Sequence, residues 1–178
     1  MTIKFSVYIA TSLDGFIARP DGGLDWLPPI VPEIEDYGYQ AFSDSIDTVV
    51  MGRATYEKAL TFGAWPYEGK RTVVLSSGQP PVPEHLKAYV ETTSLPPRPL
   101  AEHLEATGSK SVHVDGGKTI QSFLQAGLID EIVLTTVPVL IGSGLPLFGP
   151  LDGDVHLELM SSRSFAGGLV QCTYRVRK

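Results

Sequence analysis

The chain has 178 residues, enough for one domain with a substantial core. Fourteen basic residues stand against twenty acidic ones, a net charge of −6 with no clustered basic run; this argues against nucleic acid as the main partner but leaves room for a local phosphate pocket. No segment approaches the roughly 18 unbroken apolar residues of a membrane span, the start lacks the basic flank and long apolar run of a signal peptide, and the single cysteine, Cys172, excludes an internal disulfide and fits a cytoplasmic protein.

Taken in order, residues 3–11 alternate like a strand, and a helix is expected over 32–46. Strand 48–52, helix 54–60, and strands 71–76 and 87–91 follow, then helix 100–107, strand 111–115, helix 118–126 and strand 131–140. Two stiff connectors, at 80–83 and 96–99, are proline-rich. The alternation reads as α/β with a largely parallel sheet. The end differs, because 156–165 and 169–177 are β-rich runs joined across Gly167-Gly168, an antiparallel hairpin. Cys172 falls in the second run and is expected to be buried filler rather than a nucleophile. Neither an internal repeat nor an interdomain linker is visible, so one domain over 1–178 is expected.

The chemically suggestive stretch is Val112-His-Val-Asp-Gly-Gly-Lys-Thr-Ile-Gln-Ser-Phe-Leu124. A strand runs through Gly116 and Gly117 into a helix whose Ile120, Phe123, Leu124 and Leu128 share one face. Without Cβ atoms at the two glycines a phosphate can approach the backbone, and the helix start aims free N–H groups at it. Lys118 adds a cation and Thr119 a hydroxyl. A plain glycine turn reads equally well, since this is neither GxGxxG nor a P-loop. The histidines His85, His103, His113 and His156 lack ligand spacing, so no metal site is expected. No GxSxG elbow occurs either.

Four segments, in this order, resemble the dihydrofolate reductase superfamily, and more closely its branch containing the C-terminal reductase domain of riboflavin biosynthesis. They are Ala10-Thr-Ser-Leu-Asp-Gly-Phe-Ile-Ala18 with Gly23-Leu-Asp-Trp26, Val49-Val-Met-Gly-Arg-Ala-Thr-Tyr-Glu57, Val73-Val-Leu-Ser-Ser77 and Asp115-Gly-Gly-Lys118. Leu128–Thr135 and Pro138–Phe148 look like the riboflavin-type branch. The resemblance implies a three-layer α/β sandwich, mostly parallel in its central sheet and ending in an antiparallel C-terminal hairpin. It also implies hydride transfer from NADPH to a small heterocycle, of pteridine or riboflavin-pathway aminopyrimidine type, and a homodimer.

Carried over residue by residue, Gly52, Arg53 and Thr55 meet the cofactor phosphates, and Ser76 and Ser77 meet the adenosine 2′-phosphate. Gly116, Gly117, Lys118, Thr119 and Ile120 form the pyrophosphate turn, while the backbone at Ala10 and Ile17 holds the nicotinamide carboxamide. Asp115 stands where many folate reductases have a third glycine, and would repel a phosphate unless it points away or bonds a hydroxyl. Asp14 opens a loop over the cofactor, or is an ordinary Asp-Gly turn. Folate reductases carry a carboxylate shortly after the tryptophan, and here Leu-Pro-Pro-Ile-Val-Pro follows Trp26 instead. Spacing back from Met51-Gly52 lands on Asp36, with Glu33 and Glu35 behind it. Asp36 and Trp26 are therefore the catalytic candidates, against the alternative that the acids simply solvate a helix start. Asp14, Trp26, Tyr39, Phe42 and Thr135 are candidates for the substrate pocket. The Gly142-Ser-Gly144 loop reads as a phosphate nest or as a bend at a dimer interface. Two rival readings stay open: a true dihydrofolate reductase, and a non-catalytic NADP(H)-binding protein.

Overall fold

The computed structural model describes residues 3–29 and 35–178. In chain order its elements are β1 (Lys4–Ser12), β2 (Phe16–Ala18), α1 (Tyr39–Asp44), β3 (Thr48–Gly52) and α2 (Arg53–Ala59). Then come β4 (Arg71–Leu75), β5 (Val90–Thr93), α3 (Pro97–Ala106), β6 (Ser111–Asp115) and α4 (Gly117–Gln125). The last are β7 (Glu131–Val137), β8 (Leu145–Pro146), β9 (Leu157–Ser164) and β10 (Val170–Val176). No described helix is long and apolar enough to cross a membrane.

Eight strands form one sheet in the order β5-β4-β3-β6-β1-β7-β10-β9. From β5 to β7 every neighbouring pair is parallel, and β10 and β9 close the sheet antiparallel. The parallel strands are short apolar runs, such as Val49-Val-Met51 and Val112–Val114, because helices cover both faces. On one face Leu100 and Leu104 of α3, with Ile120 and Phe123 of α4, pack on Phe5, Val7, Val50, Val112 and Val114. On the other, Tyr56 and Ala59 of α2 pack on Val49, Met51 and Val74. The result is the expected three-layer sandwich.

Strand order dictates where a ligand can enter. β3 and β6 are neighbours, yet the chain leaves β3 toward β4 and leaves β6 toward β7, on the far side of β1. Their helices, α2 and α4, consequently lie on opposite faces. Connections that part in this way open a crevice at the carboxyl ends of the two strands, the usual binding position in open α/β sheets.

Several details correct the sequence expectations. The helix expected over 32–46 is only α1, with residues 30–34, Glu33 among them, outside the described part. Tyr37 and Gly38 take φ of 57° and 81°, and two successive left-handed residues cannot continue a right-handed helix. The strand expected over 87–91 is shifted to β5. Cys172 lies in β10 but is only half-buried, its thiol near Ser162 Oγ of the edge strand β9 at 3.7 Å. The β2–β8 pair was not legible, being too short for a period to show.

Candidate functional site

At the crevice the first turns of α2 and α4 lie side by side and lock into each other. A Cβ on Gly116 would collide with Thr55 Oγ1, and one on Gly52 would sit 3.1 Å from Thr119 Oγ1. Gly116 also has φ of 90°, a conformation closed to other L-residues without strain. At Gly117 a Cβ would meet Ile17 Cδ1 and the Pro146 carbonyl, each at 3.0 Å, so the β2–β8 ribbon presses directly on the start of α4. Neither helix has a side-chain cap at its N-terminus. Uncapped backbone N–H groups of both helices thus lie at one crevice, with the Thr55 and Thr119 hydroxyls at the seam between them.

Asp115, the residue that seemed hostile to an anion, is accounted for. The Tyr67 hydroxyl donates to Asp115 Oδ2 at 2.7 Å, and the Gly116 N–H donates to Oδ1 at 2.8 Å. Burial, followed by the nearby Asp115, pushes the Tyr67 phenol well above its ordinary range, so it remains a proton donor. One strand away, Arg53 opens α2 with its Nε on Glu57 at 2.6 Å. Its Nη1 would lie 3.8 Å from a Cβ on Gly78, where Ser76 Oγ accepts the Gly78 N–H at 3.2 Å. Arg53 and Ser76 are therefore neighbours at the carboxyl ends of β3 and β4, with Ser77 exposed beside them. Lys118 is exposed on the first turn of α4, whereas Thr119 is buried against Gly52. Ile120 differs from its expected role: its side chain is core, and its N–H donates to the Gly116 carbonyl at 2.9 Å. It anchors the turn and has nothing left to offer a ligand.

On the α2 face, beyond Ala10, a cavity of about 90 Å³ opens over β1 and β7. Tyr8, Tyr39, Thr135, Asp36, Tyr37 and Leu169 are among its walls. Its floor is a polar knot. The Gln171 side-chain amide donates to Thr135 Oγ1 and the Tyr37 carbonyl at 3.0 Å and to the Tyr8 hydroxyl at 3.1 Å. The Tyr8 hydroxyl donates in turn to the Tyr37 carbonyl at 2.7 Å. Burial pushes the Tyr8 phenol up to about 12, opposed by the Gln171 hydrogen bond and assisted by Asp36, Tyr39 and Glu35. Behind Tyr8 stand Phe42, 4.9 Å away ring to ring, and the fully buried His113, whose charged form is disfavoured chiefly by burial. Gln171→Leu would leave the hydroxyls of Tyr8 and Thr135 short of a partner, so we expect a stability loss of roughly 1–3 kcal/mol in urea denaturation.

The structure brings Ala10, Tyr39, Thr135 and Asp36 together at this cavity but moves others out. Trp26 packs on Val137 and Leu169, which are themselves walls, so it supports the wall from behind; its indole Nε1 is buried without a partner among the described residues. Asp14 does not line the cavity. It accepts the Ser12 hydroxyl at 2.6 Å and the N–H groups of Gly142 and Ile141 at 2.8 and 3.2 Å, which hold its carboxyl below the ordinary range. The Gly142–Gly144 bend is hence already filled by an internal carboxylate. Asp36 accepts the Gly38 and Gln40 N–H groups at 2.9 and 3.0 Å, which lower its pKa and suit a fixed anion better than a proton donor. Sequence reasoning missed Tyr8, Gln171 and Tyr67. For the first, the alternation of β1 pointed only to a strand face.

Comparison with known proteins agrees with this architecture. The RibD C-terminal domain profile matches residues 4–171. YwjB of Bacillus subtilis, a protein without an assigned activity, is 36% identical over 177 residues, covering 98% of each chain. A candidate riboflavin biosynthesis protein of Shewanella sp. PV-4 superposes with a TM-score of 0.92 at 38% identity, over 99% of this chain and 100% of that one. The diaminohydroxyphosphoribosylaminopyrimidine deaminase/5-amino-6-(5-phosphoribosylamino)uracil reductase of Thermotoga maritima shares the fold, with a TM-score of 0.72 at 16% identity. That match covers 99% of this chain and 57% of the other. With the profile running from β1 into β10 and a near-full-length relative above a third identical, the chain belongs to the RibD C-terminal domain family, on a dihydrofolate reductase-like fold.

Proposed function

We propose that the protein is an NADPH-dependent reductase of a small heterocycle. The observation that carries this is the linear order of the candidate residues along the sheet edge. Ser76 follows β4, Gly52 ends β3 and Arg53 follows it, Gly116 and Gly117 follow β6, Ala10 lies on β1, and Thr135 and Gln171 lie on β7 and β10. Three strand spacings, roughly 14 Å in all, separate the serine end from Ala10, a span suited to an extended dinucleotide. In the middle of that line the glycines let the two helix starts close on each other, and the uncapped start of α4 with the exposed Lys118 supplies donors of the kind a pyrophosphate needs, so the residues present fit such a cofactor.

When bound, the cofactor supplies a hydride to a C=N or C=O carbon. The chain's own groups do the rest. The two helix starts and Lys118 would hold the pyrophosphate, with Arg53, Ser76 and Ser77 at a 2′-phosphate. Ala10 and Ile17 border the passage from cradle to cavity. Tyr8 and Tyr39 offer aromatic walls to a flat ring, and Asp36 anchors its N–H groups. Asp36, with its carboxyl held low, and Tyr8, with its proton held tightly, are both poorly suited to donate the proton that accompanies the hydride.

Arg53→Ala is expected to weaken NADPH about tenfold or more while changing NADH little. Titration calorimetry with both cofactors checks this. Equal losses would remove Arg53 from the phosphate end, and wild-type protein that binds neither cofactor would end the reductase reading.

A further inference from the structure

Resting on that reading, we propose that the substrate is a heterocycle carrying no phosphate group, an aminopyrimidine or pterin ring that presents N–H donors or a positive charge to Asp36. This sets the chain apart from the phosphoribosyl substrate named for the Thermotoga maritima relative.

The cavity itself makes the case. Among the described residues that line it, Asp36 is the sole charged side chain, and it is negative. Asp36 keeps a free lone pair on each oxygen beyond the two backbone donors it accepts, so it can take N–H donors from a ring.

A second candidate anion receptor among the described residues, the nest before Ser143, is occupied. The Ile141 and Gly142 N–H groups, which form the sort of backbone nest a phosphate would use, both donate to Asp14. A phosphate entering there would have to displace a carboxylate that is also hydrogen-bonded to Ser12. The cavity's electrostatic field has the same sign. Asp36 and Glu35 both disfavour ionisation of the Tyr8 phenol, a half-buried polar group in the wall.

The cations near this end lie elsewhere. Arg163 is close enough to act on Asp36 but is exposed, with its guanidinium 4.9 Å from the centre of the Phe165 ring, which in turn packs on Tyr37. Arg53 and Lys118 belong to the cofactor crevice and are engaged by the cofactor's own phosphates. A substrate phosphate seated among the described lining residues would meet the Asp36 carboxylate first, with its nearest counter-charge, Arg163, outside that lining.

The test follows NADPH oxidation by the intact protein with three compounds: 5-amino-6-(5-phosphoribosylamino)uracil, the same compound without its phosphate, and a dihydropterin. NADPH binding is measured by calorimetry on the same samples. We expect kcat/KM for at least one phosphate-free compound to exceed that of the phosphorylated uracil tenfold or more. In Asp36→Asn we expect KM for that compound to rise at least tenfold with NADPH affinity unchanged, and inhibition by the phosphorylated uracil to tighten. Preference for the phosphorylated compound, or turnover of none with NADPH still bound, overturns the inference and leaves the cofactor assignment standing. Loss of NADPH binding in wild-type protein overturns both.

Discussion

Gly116→Ala is expected to abolish NADPH binding and to cost about 3 kcal/mol of stability. Two physical terms add at this one atom. Holding a side-chain-bearing residue at φ of 90° and ψ of 137° costs roughly 1–3 kcal/mol. The new methyl group also drives into Thr55 Oγ1, and that hydroxyl sits on the first turn of α2, which cannot retreat because Tyr56 beside it is fully buried. Adding Thr55→Ala should return the steric part and leave the conformational part. Urea denaturation of the single and double variants separates them, and calorimetry reports the cofactor. A Gly116→Ala protein that binds NADPH like wild type would mean the turn is only a turn.

The second large effect is expected at Tyr67. Its hydroxyl is the partner that turns Asp115 Oδ2 away from the crevice. Tyr67→Phe removes the donor and frees a carboxylate oxygen within one residue of the glycines proposed to hold the pyrophosphate. NADPH affinity should fall tenfold or more, which corresponds to about 1.4 kcal/mol. Asp115→Asn should restore most of it in the Tyr67→Phe background, because the like-charge repulsion disappears even though the hydrogen bond stays lost. Rescue by the second change distinguishes charge shielding from mere damage to the fold, which two substitutions would deepen. A double variant as weak as Tyr67→Phe alone would refute the shielding role.

What could be read from the residues depended on how far apart the cooperating groups lie along the chain. β3 and β6 were located to the residue because each is an apolar run ending at a glycine or an acidic turn. The crevice residues follow those strands directly, so motif and position coincide. The polar knot of Tyr8, Tyr37, Thr135 and Gln171 was not readable, since Gln171 meets Tyr8 from 163 positions away and nothing local marks a glutamine in a strand as a floor. The helix expected over 32–46 failed for a related reason. Tyr37 adopts a left-handed conformation, and the groups that stabilise it, the hydrogen bonds to its carbonyl from Tyr8 and Gln171 and its ring packing on Phe165, all come from distant strands and loops. Asp14 and Trp26 were placed at the pocket by the family resemblance, whereas the fold spends one on a turn and sets the other behind a wall.

The reciprocal fit of Gly116 with Thr55, and of Gly52 with Thr119, has a consequence for anyone re-engineering cofactor choice. These four positions vary only as a set: widening one partner demands shrinking the other, across two helices on opposite faces of the sheet. A library randomising the loop after β6 alone would be dominated by clones lost to misfolding, whatever their chemistry. Ser77 and Arg53, exposed and free of such interlocking, are where diversity can be introduced without that toll. Evolvability of the crevice is thus uneven, rigid at its centre and permissive at the end farthest from the cavity.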